Sequence, residues 1–343
     1  MSHLVGSTGT MIHLALVGCG RWGRNIARSL EGVRGGRLAA CCDSVIDRAR
    51  ALAEARKISW TPHFEEIVED PTIDAVVIAT PPATHPLQAG VALLSGKHVL
   101  VEKPFALSTR EARRLHRLAA SAGRIVMAGH LLRYHPAMAV LHDLLGGSEI
   151  GRIVRVASER HGPPKSEHGI GVWWTLAPHD LSLLLSLFPA LPEIVGGSAR
   201  WGEIPLAGPH HLRARLHFPE GIEATVDVSW LSPHKRRAVR IIGEGGTIEF
   251  DDGADRLSVA RGGRAPWILE FPQARPLQRE LQHFIDAIAE GIPPRSDGRE
   301  AVRVTHLLEG VERAVGALRP EMRQGSREWE RSAEFSGFAA GGR

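Results

Sequence analysis

The chain of 343 residues is long enough for two domains, and its 43% hydrophobic content can fill a core in each. The formal net charge of +4 is spread along the chain without a run of five basic residues, which argues against a nucleic-acid-binding protein and suits small anionic ligands. Three cysteines are too few for a disulfide framework and favour a cytoplasmic location, and no apolar run is long enough to span a membrane.

The chain begins with a Ser-, Gly- and Thr-rich stretch, residues 1–10, which predicts a loose tail. Met11 to Val17 predicts the first strand, which runs directly into Gly18-Cys19-Gly20-Arg21-Trp22-Gly23, and a helical stretch follows from Arg24 to Leu30. This spacing is typical of a dinucleotide-binding turn. The first glycine permits the turn, the second lets the backbone approach a pyrophosphate, and the third lets the helix pack on the strand.

A second predicted strand, Leu38 to Cys42, ends in Asp43, twenty residues after Gly23. An acidic residue at this distance accepts hydrogen bonds from the ribose hydroxyls of a bound dinucleotide. Its negative charge repels a 2′-phosphate, so the sequence favours NAD over NADP. Arg48, a few residues further on, leaves NADP as an alternative.

Two later buried strands also end in polar segments. The strand Ala75 to Ala79 runs into Thr80-Pro81-Pro82-Ala83-Thr84-His85, where the prolines predict an extended loop. For His85, a structural role in the loop or at a helix cap is favoured over a role as a ligand. The strand Val99 to Val101 ends in Glu102-Lys103-Pro104. Because ligands bind at the carboxyl ends of strands in open α/β sheets, Lys103 is a candidate for donating a charged hydrogen bond to a substrate oxygen. A solvated lysine paired with Glu102 is the alternative.

Helical patterns separate these strands from one another and from a last strand at residues 124–128; they cover residues 47–55, 61–70, 86–95 and 109–122. Strands that alternate with helices in this way predict a doubly wound parallel sheet, a Rossmann fold, over residues 11–129.

The segments Asp74 to His85 and Gly96 to Pro104 resemble two motifs of the Gfo/Idh/MocA oxidoreductases, which are NAD(P)-dependent dehydrogenases of sugars, cyclitols and related alcohols. The resemblance extends over most of the chain. It implies that Lys103 lies beside the nicotinamide and contacts the reacting hydroxyl. It also implies cofactor contacts along the upstream loop and at the strand end, namely at Thr80, Pro81, Thr84, His85 and Glu102.

The next segment, Gly129 to Pro136, is similar to the family segment that borders the substrate, so His130, Arg133 and Tyr134 are expected to contact the substrate. Tyr134 is the only tyrosine, and a buried aromatic ring with a satisfied hydroxyl is an equal alternative. A strand over residues 152–160 then leads into a Gly- and Pro-rich loop. Arg160 either meets a substrate anion there or lies at a strand edge.

Pro178 suits the first position of a helix, which would place His179 in a first helical turn. The helix dipole there disfavours imidazolium, so a neutral ring could accept a proton; a histidine that caps the helix or packs under Trp173 and Trp174 is the alternative. The segment resembles the family's D-x-x-x-H-x-x-x-L motif, which implies the acid–base role for His179. Thr175 stands in place of the aspartate and would border the substrate. This departure favours a competing hypothesis, a cofactor-holding relative that no longer turns over.

The rest of the chain is rich in alternating strands, at residues 211–218, 222–230, 237–242, 247–250 and 267–271, with helices at 137–145, 279–290 and 299–318. They predict an α+β domain over residues 130–320 with a largely antiparallel open sheet, followed by a tail at 321–343. The family resemblance implies a homodimer or homotetramer formed through the open face of this sheet.

The segments Trp22 to Asn25, Gly129-His130 and Leu176 to Asp180 look most like the nucleotide-sugar 3-dehydrogenases that act on UDP-N-acetylglucosaminuronate. We therefore expect NAD-dependent oxidation of a secondary alcohol on a sugar, with Lys103 and His179 at the reacting hydroxyl. An inositol or free-sugar dehydrogenase is the alternative within this class. The histidines show no metal-ligand spacing such as H-E-x-x-H, so no metal is expected.

Overall fold

The computed structural model describes residues 11–147, 149–164, 169–201 and 208–316, which contain two sheets. The predicted tails at 1–10 and 321–343 lie outside the described residues. The first sheet has six parallel strands in the order β3-β2-β1-β4-β5-β6. Its strands are β1 Ile12–Val17, β2 Gly36–Cys42, β3 Ser59–Thr61, β4 Ala75–Ile78, β5 His98–Glu102 and β6 Val126–Gly129.

Helices connect these strands, as expected for a doubly wound sheet; they are α1 Arg21–Leu30, α2 Ile46–Arg56, α3 Phe64–Glu69, α4 His85–Leu94 and α5 Thr109–Ala122. The strand order is that of a Rossmann fold, which confirms the predicted fold class of this half. Strand β3 was not predicted, because three residues with two exposed side chains give no apolar run. The carboxyl ends of β1, β4 and β5 lie side by side and bring the three predicted polar segments to one edge.

The second sheet has eight strands in the order β14-β13-β12-β11-β7-β10-β9-β8. All neighbouring pairs are antiparallel except β7 and β10. Its strands are β7 Ile153–His161, β8 Glu193–Arg200, β9 His211–Phe218, β10 Ile222–Ser229, β11 Arg236–Gly243, β12 Gly246–Asp251, β13 Arg256–Arg261 and β14 Trp267–Leu269. The largely antiparallel open sheet is as predicted, although β8 and β13 were missed.

The described residues of this half include the helices α6 Ala137–Gly146, α7 Val172–Leu187, α8 Pro276–Glu290 and α9 Gly298–Ala314. Helices α7 and α9 pack with one face of the sheet into a single apolar core. None of the helices in the described ranges is both long and apolar enough to cross a membrane.

Helix α7 begins at Val172, so the prediction of a helix start at Pro178 was wrong. Proline has no N–H, and inside a helix it leaves the carbonyl four residues earlier, here that of Trp174, without its usual partner. Packing outweighs this cost, because Trp173 and Trp174 are buried in the core and their indole nitrogens donate to Leu308 O (3.0 Å) and Glu312 Oε2 (2.8 Å) on α9.

Helix α8 packs back onto the first sheet, although it comes from the far end of the chain. Phe284 and Leu281 lie in one buried cluster with Leu14 and other side chains of β1. Gln282 also stabilises this contact, because its side-chain amide accepts a hydrogen bond from Arg34 N at 2.7 Å and donates one to Arg34 O at 3.1 Å. The core of the Rossmann half is therefore completed by residues beyond its predicted boundary at 129.

Candidate active site

The glycine turn between β1 and α1 has the shape that a dinucleotide needs. Gly18 has φ +99°, and a Cβ there would lie 2.6 Å from the Ala79 carbonyl oxygen. A Cβ at Gly23 would lie 1.9 Å from the Gly18 carbonyl oxygen, so helix and strand approach as closely as the motif predicts. By contrast, nothing lies within 4 Å of a Cβ built at Gly20. The second glycine therefore faces open space at the start of α1, where the pyrophosphate of a dinucleotide fits.

Asp43 is held at the mouth of this turn by backbone donors. Its Oδ2 accepts from Cys19 N at 2.8 Å and its Oδ1 from Val45 N at 2.9 Å. The carboxylate is half-buried at the end of β2, where it can meet the ribose hydroxyls of a dinucleotide. Arg48 is exposed in the first turn of α2. Arg21 and Trp22 open helix α1 beside the same turn, and both are exposed.

We predict that NAD binds more tightly than NADP. The Asp43 carboxylate can accept hydrogen bonds from both ribose hydroxyls but repels a 2′-phosphate. Fluorescence titration measures the dissociation constants of both cofactors and so checks this prediction. The Asp43→Asn variant should show a smaller difference between its affinities for NAD and NADP. Tighter binding of NADP would contradict the prediction, and a loss of that binding in Arg48→Ala would assign the phosphate to Arg48.

The segment from Thr80 to His85 is a compact turn, so the predicted extended loop was wrong. Residues Pro82–Thr84 form a 3₁₀ turn that leads into α4. The His85 ring is buried, with Nδ1 at 2.9 Å from Pro104 O and Nε2 at 2.8 Å from Thr80 O. Both ring nitrogens thus face backbone carbonyls, which favours the predicted structural role of His85 over a ligand role. Thr80, Pro81 and Thr84 remain accessible at the sheet edge.

Glu102, at the end of β5, is buried and accepts hydrogen bonds from two neighbours. Its Oε1 accepts from the Trp22 indole, and its Oε2 accepts from the Lys103 backbone N–H at 3.2 Å. Burial raises the pKa of Glu102, although the Trp22 bond and the Lys103 charge act in the opposite direction. Glu102 therefore connects the glycine-turn helix to the strand that carries Lys103.

The Lys103 ammonium reaches across to the second domain. Its Nζ donates to the Thr175 carbonyl oxygen at 3.0 Å, and the side chain is only half-buried. The Thr175 hydroxyl turns away from Lys103 and donates to Gly171 O, also at 3.0 Å. Because Thr175 lies one helical turn before His179, the contact brings the lysine to the same part of α7 as the candidate base.

His179 lies in the middle of α7 and not in a first turn. Burial lowers the pKa of its imidazole well below the usual value, and the charges of Lys103, Arg160 and two further cationic groups add to this effect. The ring is therefore neutral, as predicted, but the cause is burial beside cations and not a helix start. Its Nδ1 is buried and has no hydrogen-bond partner among the described residues.

Arg160 and Tyr134, two predicted substrate-binding residues, bind other protein groups in the structure. Arg160 is buried; its Nε and Nη2 donate to Asp180 at 3.0 and 3.2 Å, and its Nη1 donates to Asp252 at 3.1 Å. The Tyr134 hydroxyl is buried against Ser296 at 2.8 Å, and burial raises its pKa. Arg160 thus anchors the residue after His179, and Tyr134 takes its alternative role as a buried aromatic.

His130 and Arg133, the other two predicted substrate contacts of the segment Gly129 to Pro136, differ in exposure. His130 is buried, and its Nδ1 lies 2.6 Å from Glu300 Oε2, while Glu300 Oε1 accepts from Ser182 at 2.5 Å. Burial acts to raise the pKa of Glu300, but the charge of His130 and its hydrogen bond hold that pKa below its usual value. Arg133 is half-buried and donates to Arg295 O at 3.2 Å. Sequence reasoning missed Glu300 because its partners lie more than a hundred residues away.

The site thus consists of a dinucleotide turn, an acidic residue at the ribose position, and a lysine and a neutral histidine on facing elements. Within the described ranges, no three His, Cys, Asp or Glu side chains are arranged to hold a metal ion. Such a site suits hydride transfer between a nicotinamide and an alcohol, in which the protein orients both reactants.

Comparison with known proteins agrees with this geometry. Residues 12–130 match the model of an oxidoreductase family with an NAD-binding Rossmann fold, and residues 138–249 match a GFO/IDH/MocA C-terminal domain. Inositol 2-dehydrogenase 1 of Saccharopolyspora erythraea is 32% identical over 85% of this chain and 91% of its own. The UDP-N-acetylglucosamine 3-dehydrogenase of Acidithiobacillus ferrooxidans is 29% identical over 90% of this chain and 99% of its own.

A solved structure of that UDP-N-acetylglucosamine 3-dehydrogenase superposes with a TM-score of 0.80 at 28% identity, covering 89% of this chain and 97% of the other. A 3-ketoreductase from Actinomadura kijaniata, solved with TDP-benzene and NADP, has the same fold, with a TM-score of 0.80 at 22% identity over 88% of this chain and 97% of its own. Sequence, fold and site agree that this chain is a member of the Gfo/Idh/MocA family of NAD(P)-dependent oxidoreductases.

Proposed function

We propose that this oxidoreductase oxidises a secondary alcohol on a sugar, and that a nucleotide sugar is its substrate. The observation that supports the proposal is the hydrogen bond from the Lys103 ammonium to the Thr175 carbonyl, because it joins a charged donor to the helix that carries the neutral His179. A bound nicotinamide would accept the hydride from the carbinol carbon. Lys103 would polarise the hydroxyl oxygen, and His179 would take its proton.

The substrate class is chosen from the relatives and the chain's own motifs. The nucleotide-sugar 3-dehydrogenase relative matches over nearly the whole of both chains, and a solved structure of it superposes closely. An inositol dehydrogenase matches at a similar identity, so a free polyol stays the second candidate. The test is to incubate the protein with NAD and a panel of UDP-sugars, free sugars and inositols, and to follow the absorbance of NADH. We expect turnover with UDP-sugars; turnover with inositols alone would replace the proposal by its alternative.

A relative that binds the cofactor without catalysis is the outcome to be distinguished from this proposal. Thr175 is the residue that favours it, because threonine cannot carry charge or accept a proton at neutral pH. Two results together would favour the non-catalytic hypothesis. The wild-type protein would bind NAD but oxidise nothing in the panel, and the Thr175→Asp variant would be active.

We predict that Thr175→Ala changes turnover by no more than about three-fold, well below the effect of losing a positioned general base. The Thr175 hydroxyl donates to Gly171 O at the start of its own helix, and Lys103 donates to the Thr175 backbone carbonyl, which alanine retains. Steady-state kinetics on the substrate found in the panel check this prediction. A loss of a hundred-fold or more would show that the hydroxyl takes part in proton transfer.

We also predict a homodimer or homotetramer formed through the open face of the second sheet. The helices of this domain cover one face, while the other carries cross-strand ion pairs such as Arg236 with Glu159 and Arg240 with Glu249. Light scattering at micromolar concentration measures the mass of the particle. A monomer at that concentration would contradict the prediction.

A further inference from the structure

The observation behind this inference is a pair of arginines on adjacent strands of the second sheet. Arg237 on β11 lies directly opposite Arg160 on β7 in the antiparallel register. Opposed residues of such a pair project from the same face of a sheet. Arg160 projects toward Asp180 of α7, so Arg237 projects from the face that packs against the helix carrying His179.

The two arginines differ in how fully their guanidinium groups are used. Arg160 is buried, and all three of its nitrogens donate to Asp180 or Asp252. Arg237 has 40% of its side chain exposed, and its Nη1 lies 3.9 Å from Asp252, on the oxygen that Arg160 also binds. That distance is about 1 Å longer than a charge-assisted hydrogen bond. Arg237 therefore keeps donors available to a ligand.

Arg237 is connected to the site through the strand register, because its opposite residue Arg160 binds Asp180, the residue after His179. Its charge contributes, with those of Lys103, Arg160 and His130, to lowering the pKa of His179, after the larger effect of burial. An accessible guanidinium beside a reacting centre binds carboxylate or phosphate with two parallel hydrogen bonds. Its hydrogen bonds to a neutral polyol are weaker, because the hydroxyl oxygens carry no charge.

We propose that Arg237 is a specificity-determining residue that binds an anionic group of the substrate, a carboxylate or a phosphate, and so selects acidic or nucleotide-linked sugars over neutral polyols. This inference rests on the proposed function, since it concerns the substrate of the same site. It goes beyond that proposal by naming the group that is recognised and the side chain that recognises it.

The test compares Arg237→Gln, Arg237→Lys and the control Arg236→Gln. Arg236 is the residue before Arg237 on β11, is similarly exposed, and lies on the opposite face, paired with Glu159. Calorimetry on the NADH-loaded protein gives dissociation constants for two matched pairs, glucuronate with glucose and UDP-N-acetylglucosamine with N-acetylglucosamine. The first pair differs by a carboxylate and the second by a nucleoside diphosphate.

We expect wild type to prefer the acidic member of at least one pair, and Arg237→Gln to weaken that binding about 10- to 100-fold, the effect of one charge-assisted contact. Binding of the neutral members should change less than two-fold, Arg237→Lys should retain part of the preference, and Arg236→Gln all of it. A loss confined to one pair identifies the group as carboxylate or phosphate.

The proposal is overturned if wild type shows no preference in either pair, or if Arg237→Gln leaves the preference unchanged or weakens both members equally. Thermal unfolding of each variant separates a folding defect from a binding defect. Turnover of the same compounds with NAD is a separate measurement. If nothing in the full panel of UDP-sugars, free sugars and inositols is oxidised while the charge preference still depends on Arg237, the proposed function fails and this inference stands.

Discussion

Lys103→Met is expected to abolish measurable hydride transfer while NAD binding stays within about two-fold of wild type. Methionine keeps much of the length and apolar volume of the lysine stem but removes the charged donor. The ammonium is the group that can polarise the substrate hydroxyl, and its contact with the Thr175 carbonyl at 3.0 Å shows that it reaches α7. Turnover of the best substrate and an NAD titration on the same preparation measure the two effects.

Lys57→Met is the control for this experiment, because Lys57 is exposed at the end of α2 and lies away from the site. It should leave both turnover and cofactor binding unchanged. If Lys103→Met retains a tenth or more of wild-type turnover, the assignment of Lys103 to the reacting oxygen is wrong. If it loses NAD binding instead, Lys103 serves the cofactor rather than the substrate.

His179→Ala should lower turnover by about 10²- to 10⁴-fold, the range for a positioned general base. In wild type the oxidation rate should fall at low pH, because only the neutral ring can accept a proton. Burial beside cations lowers the pKa of His179 well below its ordinary value, so the fall should lie below pH 6.5. The pH profile of kcat/KM checks the sign and position of this fall, and the alanine variant should lack it.

The control for His179→Ala is His217→Ala, an exposed histidine on the outer face of β9. It should reproduce both the turnover and the pH profile of wild type. An undiminished rate in His179→Ala would remove the base assignment. An acid limb that persists in His179→Ala would belong to another group and would contradict the pH assignment.

Much of the first domain could be predicted from sequence, because its strands are buried on both faces and read as short apolar runs. Strands such as Val99 to Val101 are therefore visible without any knowledge of their neighbours. The glycine turn and Asp43 could be predicted for a related reason, since the motif depends on local backbone geometry and on one spacing along the chain. The fold class follows from the alternation of these elements.

The start of α7 could not be predicted in the same way. Pro178 is a local signal for a helix start, and only the burial of Trp173 and Trp174 against α9 overrides it. Strand β8 was missed because Gly196 and Gly197 interrupt its pattern. In each case a contact distant in sequence decides the structure, and propensity is too weak to compete with it.

The residues of the site also differ in how far they could be predicted from sequence. Lys103 and His179 stand out in sequence because each belongs to a recognisable motif. For Arg160 the sequence left open a substrate anion or a strand edge, because its actual partner Asp180 lies on a different element. Arg237 lies in an ordinary alternating strand, and only the strand register reveals which face it occupies.

The return of α8 to the first sheet has a consequence for how the chain acquires its structure during synthesis. Phe284 completes a cluster that contains Leu14, and the two are separated by 270 residues. At about 5–20 residues per second, a ribosome needs about 14–54 s to make the intervening segment. During that interval the nascent Rossmann half exposes the apolar surface that α8 later covers. Its first sheet therefore reaches its final packing only near the end of translation, which makes the unfinished chain a candidate for chaperone binding.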